Sequence, residues 1–298
     1  MDWLKHKKLY FLISGTAVVL SFLSLLTWGL KLGVDFRGGS IVEYKFSKEI
    51  STEKAMEEMT NEGFEINSVQ EIGENSYLFR FPALTEIEKD RVASIAAGLD
   101  DTGFSEELRF ETVGPSVGPE LVRKTFYAVF VATGMILLWV AIQFKSFKFG
   151  VCAVAAMFYD SFILIGSFSA LGHFLKVEVD FLFVTALLIT LSFSVHDTIV
   201  VFDRIREINK IRRGDLYSVI NSAITETMVR SLNNSFTIIF MLIAIILIGG
   251  ITIRWFAVAL LIGIVSGTFS SPFVASPLLA SWDGALEKVK KVFFRKKP

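Results

Sequence analysis

The 298-residue sequence has one cysteine, three histidines and six prolines. A lone cysteine, Cys152, excludes an intrachain disulfide and most Cys-rich metal sites. His6 and His173 have no ligand spacing, and His196 sits on a different helix face from its neighbour Asp197, so no metal site is expected. Charge is scarce as well. Charged side chains make up 20% of the chain, against about 25% in a soluble domain. Thirty Lys and Arg cancel thirty Asp and Glu, which gives no support to a nucleic-acid partner. What is abundant is apolar: 52% of residues are hydrophobic, with 29 phenylalanines, which excludes a disordered chain.

A run of about 20 charge-poor residues is long enough to cross a bilayer as a helix. Six such runs occur: Leu9–Leu30, Thr125–Phe144, Phe149–Leu171, Phe181–Phe202, Ser231–Gly249 and Trp255–Ala280. The first is too long for a cleaved signal core and lacks an A-x-A-like site after it, so it reads as a retained span. Lys/Arg bias sets the expected orientation. A cytoplasmic N-terminus places 17 basic residues inside: three before Leu9, Lys145 and Lys148, six within Asp203–Arg230, and six after Ala280. Only Lys176 and Arg254 then fall in the short outer loops. Both termini are expected to be cytoplasmic, with residues 31–124 outside. The expected organisation is residues 1–30 as N-terminus and first span, 31–124 as an extracytoplasmic domain, 125–280 as a five-helix bundle with a cytoplasmic amphipathic loop over 203–230, and 281–298 as a basic tail.

The outer segment carries 19 acidic and 11 basic side chains. Strand alternation at Ile41–Phe46 precedes a helix pattern from Ser51 to about Glu62. Val69–Ile72 and Ser76–Phe81 form a strand pair around Gly73-Glu74-Asn75, a hairpin turn by composition. Thr85-x-x-Glu88 is a capping box opening a helix to about Leu99. A last strand covers Glu107–Val113. The order βαββαβ predicts a ferredoxin-like domain. It has no histidine, cysteine or phosphate-binding glycine loop, so nothing catalytic stands out and no cofactor is expected; a binding or mechanical module is favoured over a mere spacer.

Chemistry concentrates within the spans. Asp160 stands near mid-membrane, where a carboxylate costs at least about 2.5–3.5 kcal/mol; it is either a protonated group bonded between helices or a functional one. Thr190, Ser194, Asp197 and Thr198 recur at i, i+4, i+7 and i+8, a single polar stripe. Arg230, Asn233, Asn234 and Thr237 make a second stripe at the start of the fifth span. Two polar faces at similar depth are expected to meet inside the bundle, with Arg230 beside Asp197. That pair is either a proton-loading site or a static ion pair. Asp35, Gly38 and Gly39 after the first span read as a turn. Ile205, Ile208 and Ile211, then Leu216, Val219, Ile220, Ala223 and Ile224, predict two amphipathic helices on the membrane face around Gly214. Gly263-x-x-x-Gly267, followed by Ser270 and Ser271, gives the last span a small-residue packing face. The Lys288–Lys297 cluster reads as a membrane anchor, touching anionic lipid.

Three stretches resemble the SecF family of bacterial protein-export membrane subunits, which is itself similar to resistance-nodulation-division transporters. Val34-Asp35-Phe36-Arg37-Gly38-Gly39 matches its D-F-x-G-G signature. Ser194-Val195-His196-Asp197-Thr198-Ile199-Val200-Val201-Phe202-Asp203-Arg204-Ile205-Arg206-Glu207 is close to its S-V-N-D-T-V-V-V-F-D-R-I-R-E. Gly263–Ser271, leading into Ala275-Ser276-Pro277-Leu278-Leu279, is similar to its last span. The resemblance implies SecD as partner, association with the SecY/SecE/SecG channel complex, unfolded secreted preproteins as substrate, and a location in the cytoplasmic (inner) membrane. It also implies a cycle driven by proton or sodium flow, with Asp197, Arg230 and Asp160 as relay. His196 and Ser192-Phe193 depart from the family pattern, as do Asn233-Asn234, which leaves the coupling ion open. Two other functions compete: a half-size proton-driven solute exporter, and an intramembrane aspartyl protease using Asp160 and Asp197. One six-span half without its counterpart points to a companion chain over the first. Different depths for the two carboxylates argue against the second.

Overall fold

The computed structural model describes residues 2–100, 103–114, 117–144, 146–212 and 215–282. Lys145, Gly214 and the basic C-terminal tail lie outside the described residues. Six helices are long and apolar enough to cross a membrane: Trp3–Trp28, Val117–Phe144, Phe147–Leu175, Phe181–Ile211, Leu216–Ile248 and Ile253–Trp282. The chain divides into two compact units, Leu32–Tyr127 and a second formed by Met1–Lys31 with Ala128–Pro298.

The first unit runs α2 (Val34–Arg37), β1 (Gly39–Phe46), α3 (Thr52–Asn61), β2 (Ser68–Gly73), β3 (Ser76–Phe81), α4 (Glu86–Leu99) and β4 (Ser105–Val113), ending in the start of the second span. The four strands are antiparallel in the order β2-β3-β1-β4, the ferredoxin-like arrangement expected from βαββαβ. Side chains alternate across a strand, so Val42, Tyr44 and Phe46 of β1 share a face with Tyr77, Phe79 and Phe81 of β3. That face is buried against Ala55 and Met59 of α3 and Val92 and Ala96 of α4. Each large apolar side chain buried this way contributes about 1.5–3 kcal/mol.

Local signals set the boundaries. The Ser51 hydroxyl accepts from the Lys54 N–H at the start of α3, and the Thr85–Glu88 capping box opens α4. The Thr85 N–H and hydroxyl both donate to the Glu88 carboxylate and hold it below its ordinary pKa. Gly38 and Gly39 turn the chain into β1 with φ of 78° and 126°. A Cβ on Gly39 would lie 2.7 Å from the Phe81 carbonyl oxygen, so only glycine fits there. The next residue, Ser40, is fully buried, bonds the Thr112 hydroxyl at 2.7 Å and accepts from the Leu84 N–H at 2.8 Å. The turn thus fastens β1 to β4 and to the approach to α4.

The second unit is a helix bundle built from α1 (Lys7–Trp28), α5 (Val117–Phe144, from Ala128 onward), α6 (Phe147–Leu175), α7 (Phe181–Arg212), α8 (Leu216–Ile248) and α9 (Ile251–Ser270). A π-helical turn, Ser271–Ala275, follows α9 and leads into helix at 276–282. α1 packs along α6, while α9 contacts α6, α7 and α8. Small residues and hydroxyls make these contacts, as expected where lipid removes the hydrophobic drive between helices. A Cβ on Gly166 would overlap Ser21, and one on Gly263 would overlap Thr190. The Ser24 hydroxyl donates to the Gly166 carbonyl at 3.1 Å, and the Ser169 hydroxyl to the Ser24 carbonyl at 2.9 Å.

The segments flanking residues 213–214 differ from the amphipathic helices expected on the membrane face. α7 and α8 are continuous helices of 32 and 33 residues, each about 48–50 Å long at about 1.5 Å per residue. That exceeds a hydrocarbon core of about 30 Å. Ile205 and Ile208 on α7, and Val219, Ile220, Ala223 and Ile224 on α8, are buried in one cluster with Leu4, Phe144 and Phe202. Their apolar stripe is covered by protein; Ile211, 75% exposed, is the exception. The N-terminus closes over the same cluster. The Leu4 N–H donates to Asn221, the Trp3 indole to Thr225, and Asp2 accepts from Tyr217 and Asn221.

Gly263→Val should lower stability by about 1–3 kcal/mol, the usual cost of overpacking. Gly134→Val, which meets open space, should stay within about 0.5 kcal/mol of the parent. Thermal unfolding in detergent checks both.

Candidate functional site

Two helices bring hydroxyls to one carboxylate on a third. Asp160, near the middle of α6, has no exposed surface. Its Oδ2 accepts from the Ser194 hydroxyl of α7 at 2.5 Å and the Ser270 hydroxyl of α9 at 2.6 Å, and its Oδ1 accepts from Ser266 of α9 at 2.5 Å. Gly263 of α9 permits this convergence, since a Cβ there would overlap Thr190, one turn before Ser194.

Asp197 is the second buried carboxylate, 5% exposed. Its Oδ1 accepts from the Ser231 hydroxyl of α8 at 2.7 Å, while Oδ2 is buried without a partner. The neighbouring Thr198 shares a 2.9 Å hydrogen bond with Ser271. Ser270 and Ser271 stand where α9 passes into the π turn, so consecutive residues serve the surroundings of the two aspartates. Among the described residues, no Lys, Arg or His makes an ion pair with either carboxylate, and each carboxylate has its own hydroxyl partners. A shared-proton carboxylate pair, which the protease reading needs, is not formed.

Of the residues expected in the stripe on α7, Thr190, Ser194, Asp197 and Thr198 are all buried. The matching stripe on α8 requires correction. Arg230, Asn233, Asn234 and Thr237 are exposed, and Arg230 makes no ion pair with Asp197. The face of α8 that meets the bundle carries Thr227, Ser231 and Ser235, spaced by four. Residues 230–237 are polar nearly all round the helix, so periodicity could not choose the inward face. Small hydroxyls fit the close α7–α8–α9 packing, and long polar side chains do not. Sequence periodicity does not single out Ser266, Ser270 and Ser231 as hydrogen-bond partners of the aspartates. Their signal was present as the i, i+4 pairs Ser231/Ser235 and Ser266/Ser270. Asp35, Gly38 and Gly39 belong to the sheet unit, where the glycines shape the turn into β1.

Arg230 instead lines a polar cleft of about 510 Å³ with Gln143, Val200, Asp203, Arg204, Glu207, Glu226 and Thr227. Arg204 bridges Glu207 and Glu226 across it, and Arg206 pairs with Asp203 at 2.9 Å. The cleft opens beside the α7–α8 contact that holds Asp197, because Arg230 precedes Ser231 and Val200 follows Asp197 by three residues.

Two family descriptions match the chain: "Protein export membrane protein SecD/SecF, C-terminal" over residues 94–285, and "SecD/SecF GG Motif" over residues 23–50. The chain belongs to the SecD/SecF family. It is 38% identical to a protein translocase subunit SecF of Thermobaculum terrenum, over 100% of this chain and 98% of the other. A SecF of Vibrio alginolyticus is 38% identical over 93% of this chain and 88% of its own length. A Bacillus subtilis SecDF is 30% identical over 95% of this chain, which spans 38% of that longer protein. The crystal structure of SecDF from Thermus thermophilus superposes with a TM-score of 0.84 at 29% identity, covering 95% of this chain and 39% of that one. Family membership makes this a multi-pass membrane protein with a role in protein export, a transport task and not an enzymatic one.

A cysteine placed in the cleft should react with water-borne reagents. Val200→Cys is expected to be labelled in native membranes by a small charged methanethiosulfonate, whereas the parent protein, whose sole Cys152 is buried, stays unmodified. Mass spectrometry of the purified chain reads the outcome.

Proposed function

We propose that the chain is the SecF-type half of an ion-driven export motor. It would work with SecD beside the SecY/SecE/SecG channel and act on unfolded secreted preproteins in the cytoplasmic membrane. Both termini lie in the cytoplasm and residues 31–124 outside, as the Lys/Arg distribution favours. Proton or sodium flow through Asp197, Asp160 and Arg230 drives the cycle. The observation that carries this reading is Asp197: a buried carboxylate with one oxygen held by Ser231, the other without a hydrogen-bond partner, and no ion pair to a basic side chain among the described residues. A charge left in that condition needs an exchangeable cation.

The exposed Arg230, Asn233, Asn234 and Thr237 support the partnership with SecD. Polar side chains on a spanning helix do not face hydrocarbon, so this side of α8 is where a second membrane half packs. SecDF relatives carry both halves in one chain of more than twice the length, which fits a companion for this one. A lone exporter half leaves the same face uncovered.

Asp197→Asn should abolish proton-motive-force-dependent export in inverted membrane vesicles while the protein still assembles with its partner. Undiminished export would sink the relay. Arg230→Ala should lose export to a similar degree without lowering thermal stability, because Arg230 does not neutralise Asp197. Co-purification should recover a second chain of matching topology, and recovery of the chain alone as an oligomer would favour the solute exporter.

A further inference from the structure

We propose that a crevice between α1, α6 and α9 holds the acyl chains of one anionic phospholipid, drawn from the leaflet on the side of the N-terminus. This goes beyond the export reading and does not depend on ion flow through the aspartates.

The crevice encloses about 530 Å³. Ile13 of α1, Tyr159 and Ile163 of α6, and Leu261, Val265 and Phe269 of α9 line it, and α6 packs against both of the other helices. All three helices belong to candidate membrane spans. Ile13 and Val265 are 47% and 52% exposed, so the crevice opens sideways and, in a bilayer, meets hydrocarbon. Size separates a lipid chain from a protein helix as its occupant. From Leu261 to Phe269 α9 rises about 12 Å at about 1.5 Å per residue. Spread over that length, the volume has a cross-section of about 45 Å², about half that of a helix of 10–12 Å diameter. The second membrane half is also placed elsewhere, on the polar face of α8, and α8 contributes no lining residue.

The end of the crevice nearest the N-terminus selects the headgroup. The Phe269 ring lies 5.2 Å from that of Phe273, which meets Tyr10 at 4.6 Å and Trp3 at 6.0 Å. Trp and Tyr gather at the headgroup level of a bilayer, so this cluster marks where a lipid would enter. Basic charge stands beside it. Lys5 precedes α1, and the first turn of α1 carries Lys7 and Lys8 with no acidic residue. Asp2, the nearest acid in sequence, is held by Tyr217 and Asn221 of α8. Lysine stems are long enough to lie along an apolar surface and bring the ammonium to a phosphate. Three lysines at headgroup depth favour an anionic lipid over a zwitterionic one. Inorganic phosphate would meet the same lysines and leave the apolar crevice unused.

The test uses the purified full-length chain in mild detergent, titrated with phosphatidylglycerol, phosphatidylcholine or inorganic phosphate and read by native mass spectrometry and thermal unfolding. One phosphatidylglycerol should bind at least tenfold more tightly than phosphatidylcholine and raise the unfolding midpoint saturably, and phosphate should do neither. Val265→Trp and Ile13→Trp, which fill the crevice from exposed positions, should each weaken phosphatidylglycerol binding at least tenfold, as should Lys7→Gln combined with Lys8→Gln. Leu247→Trp, on an exposed part of α8, should stay within twofold of the parent. Phosphatidylglycerol carrying a diazirine in its acyl chain should mark Ile13, Tyr159, Ile163 or Val265 in preference to the exposed residues of α8. Equal binding of the two lipids overturns the site, and so does full affinity in both tryptophan variants. Even marking of all exposed helices overturns it too. A photocrosslinker at position 265 that captures protein and no lipid in native membranes gives the crevice to a protein partner and overturns the proposal.

Discussion

A carboxylate surrounded by hydrocarbon has to be neutralised by something nearby, and much of this bundle is arranged around two that are not neutralised by a basic side chain. Helices α6, α7 and α9 approach closely enough for three serines to reach Asp160, which is possible because glycine occupies α9 at 263 and 267. α8 is held to α7 through Ser231 at Asp197. Larger residues at these contacts would separate the helices and leave both carboxylates without their hydroxyl partners. Helix packing and ion chemistry are therefore the same constraint viewed at two scales.

That constraint separates the two ends of the spanning helices. At one end, α7 and α8 run past the length a bilayer needs and bury Ile205, Ile208, Val219 and Ile224 against each other, with the N-terminal residues folded over them. Around the aspartates, hydroxyl and glycine contacts are added to buried apolar side chains such as Met157, Leu191 and Val195. The charged cleft between these regions, crossed by Arg204 with Glu207 and Glu226, is where polar groups first reach solvent. The same α8 that seals the bundle with Thr227, Ser231 and Ser235 turns Arg230, Asn233 and Asn234 outward, so a single helix carries a buried hydroxyl face and an exposed polar one.

Much of this was legible in the sequence. The βαββαβ order followed from two-residue alternation and from caps at Ser51 and Thr85, both of which act within a few residues of themselves. The buried stripe Thr190, Ser194, Asp197 and Thr198 was legible because the rest of α7 is apolar, leaving one polar face. α8 offered no such contrast: polar residues surround it between 230 and 237, and size, not polarity, decided which turned inward. The amphipathic pattern on both sides of residue 214 marks an apolar side, but hydropathy does not say whether protein or lipid covers it. The serine cage was unreadable as a unit because its members come from three helices and 110 positions of chain separate Asp160 from Ser270.

Ser270 and Ser271 are joined by one peptide bond, and they attend to different neighbourhoods: the first to Asp160, the second to the Thr198 hydroxyl beside Asp197. Rotation of either side chain leaves the other in place, whereas a displacement of the backbone here would carry both hydroxyls with it, because only one planar peptide separates them. The π turn begins at this same point. The surroundings of the two aspartates therefore share one short stretch of backbone.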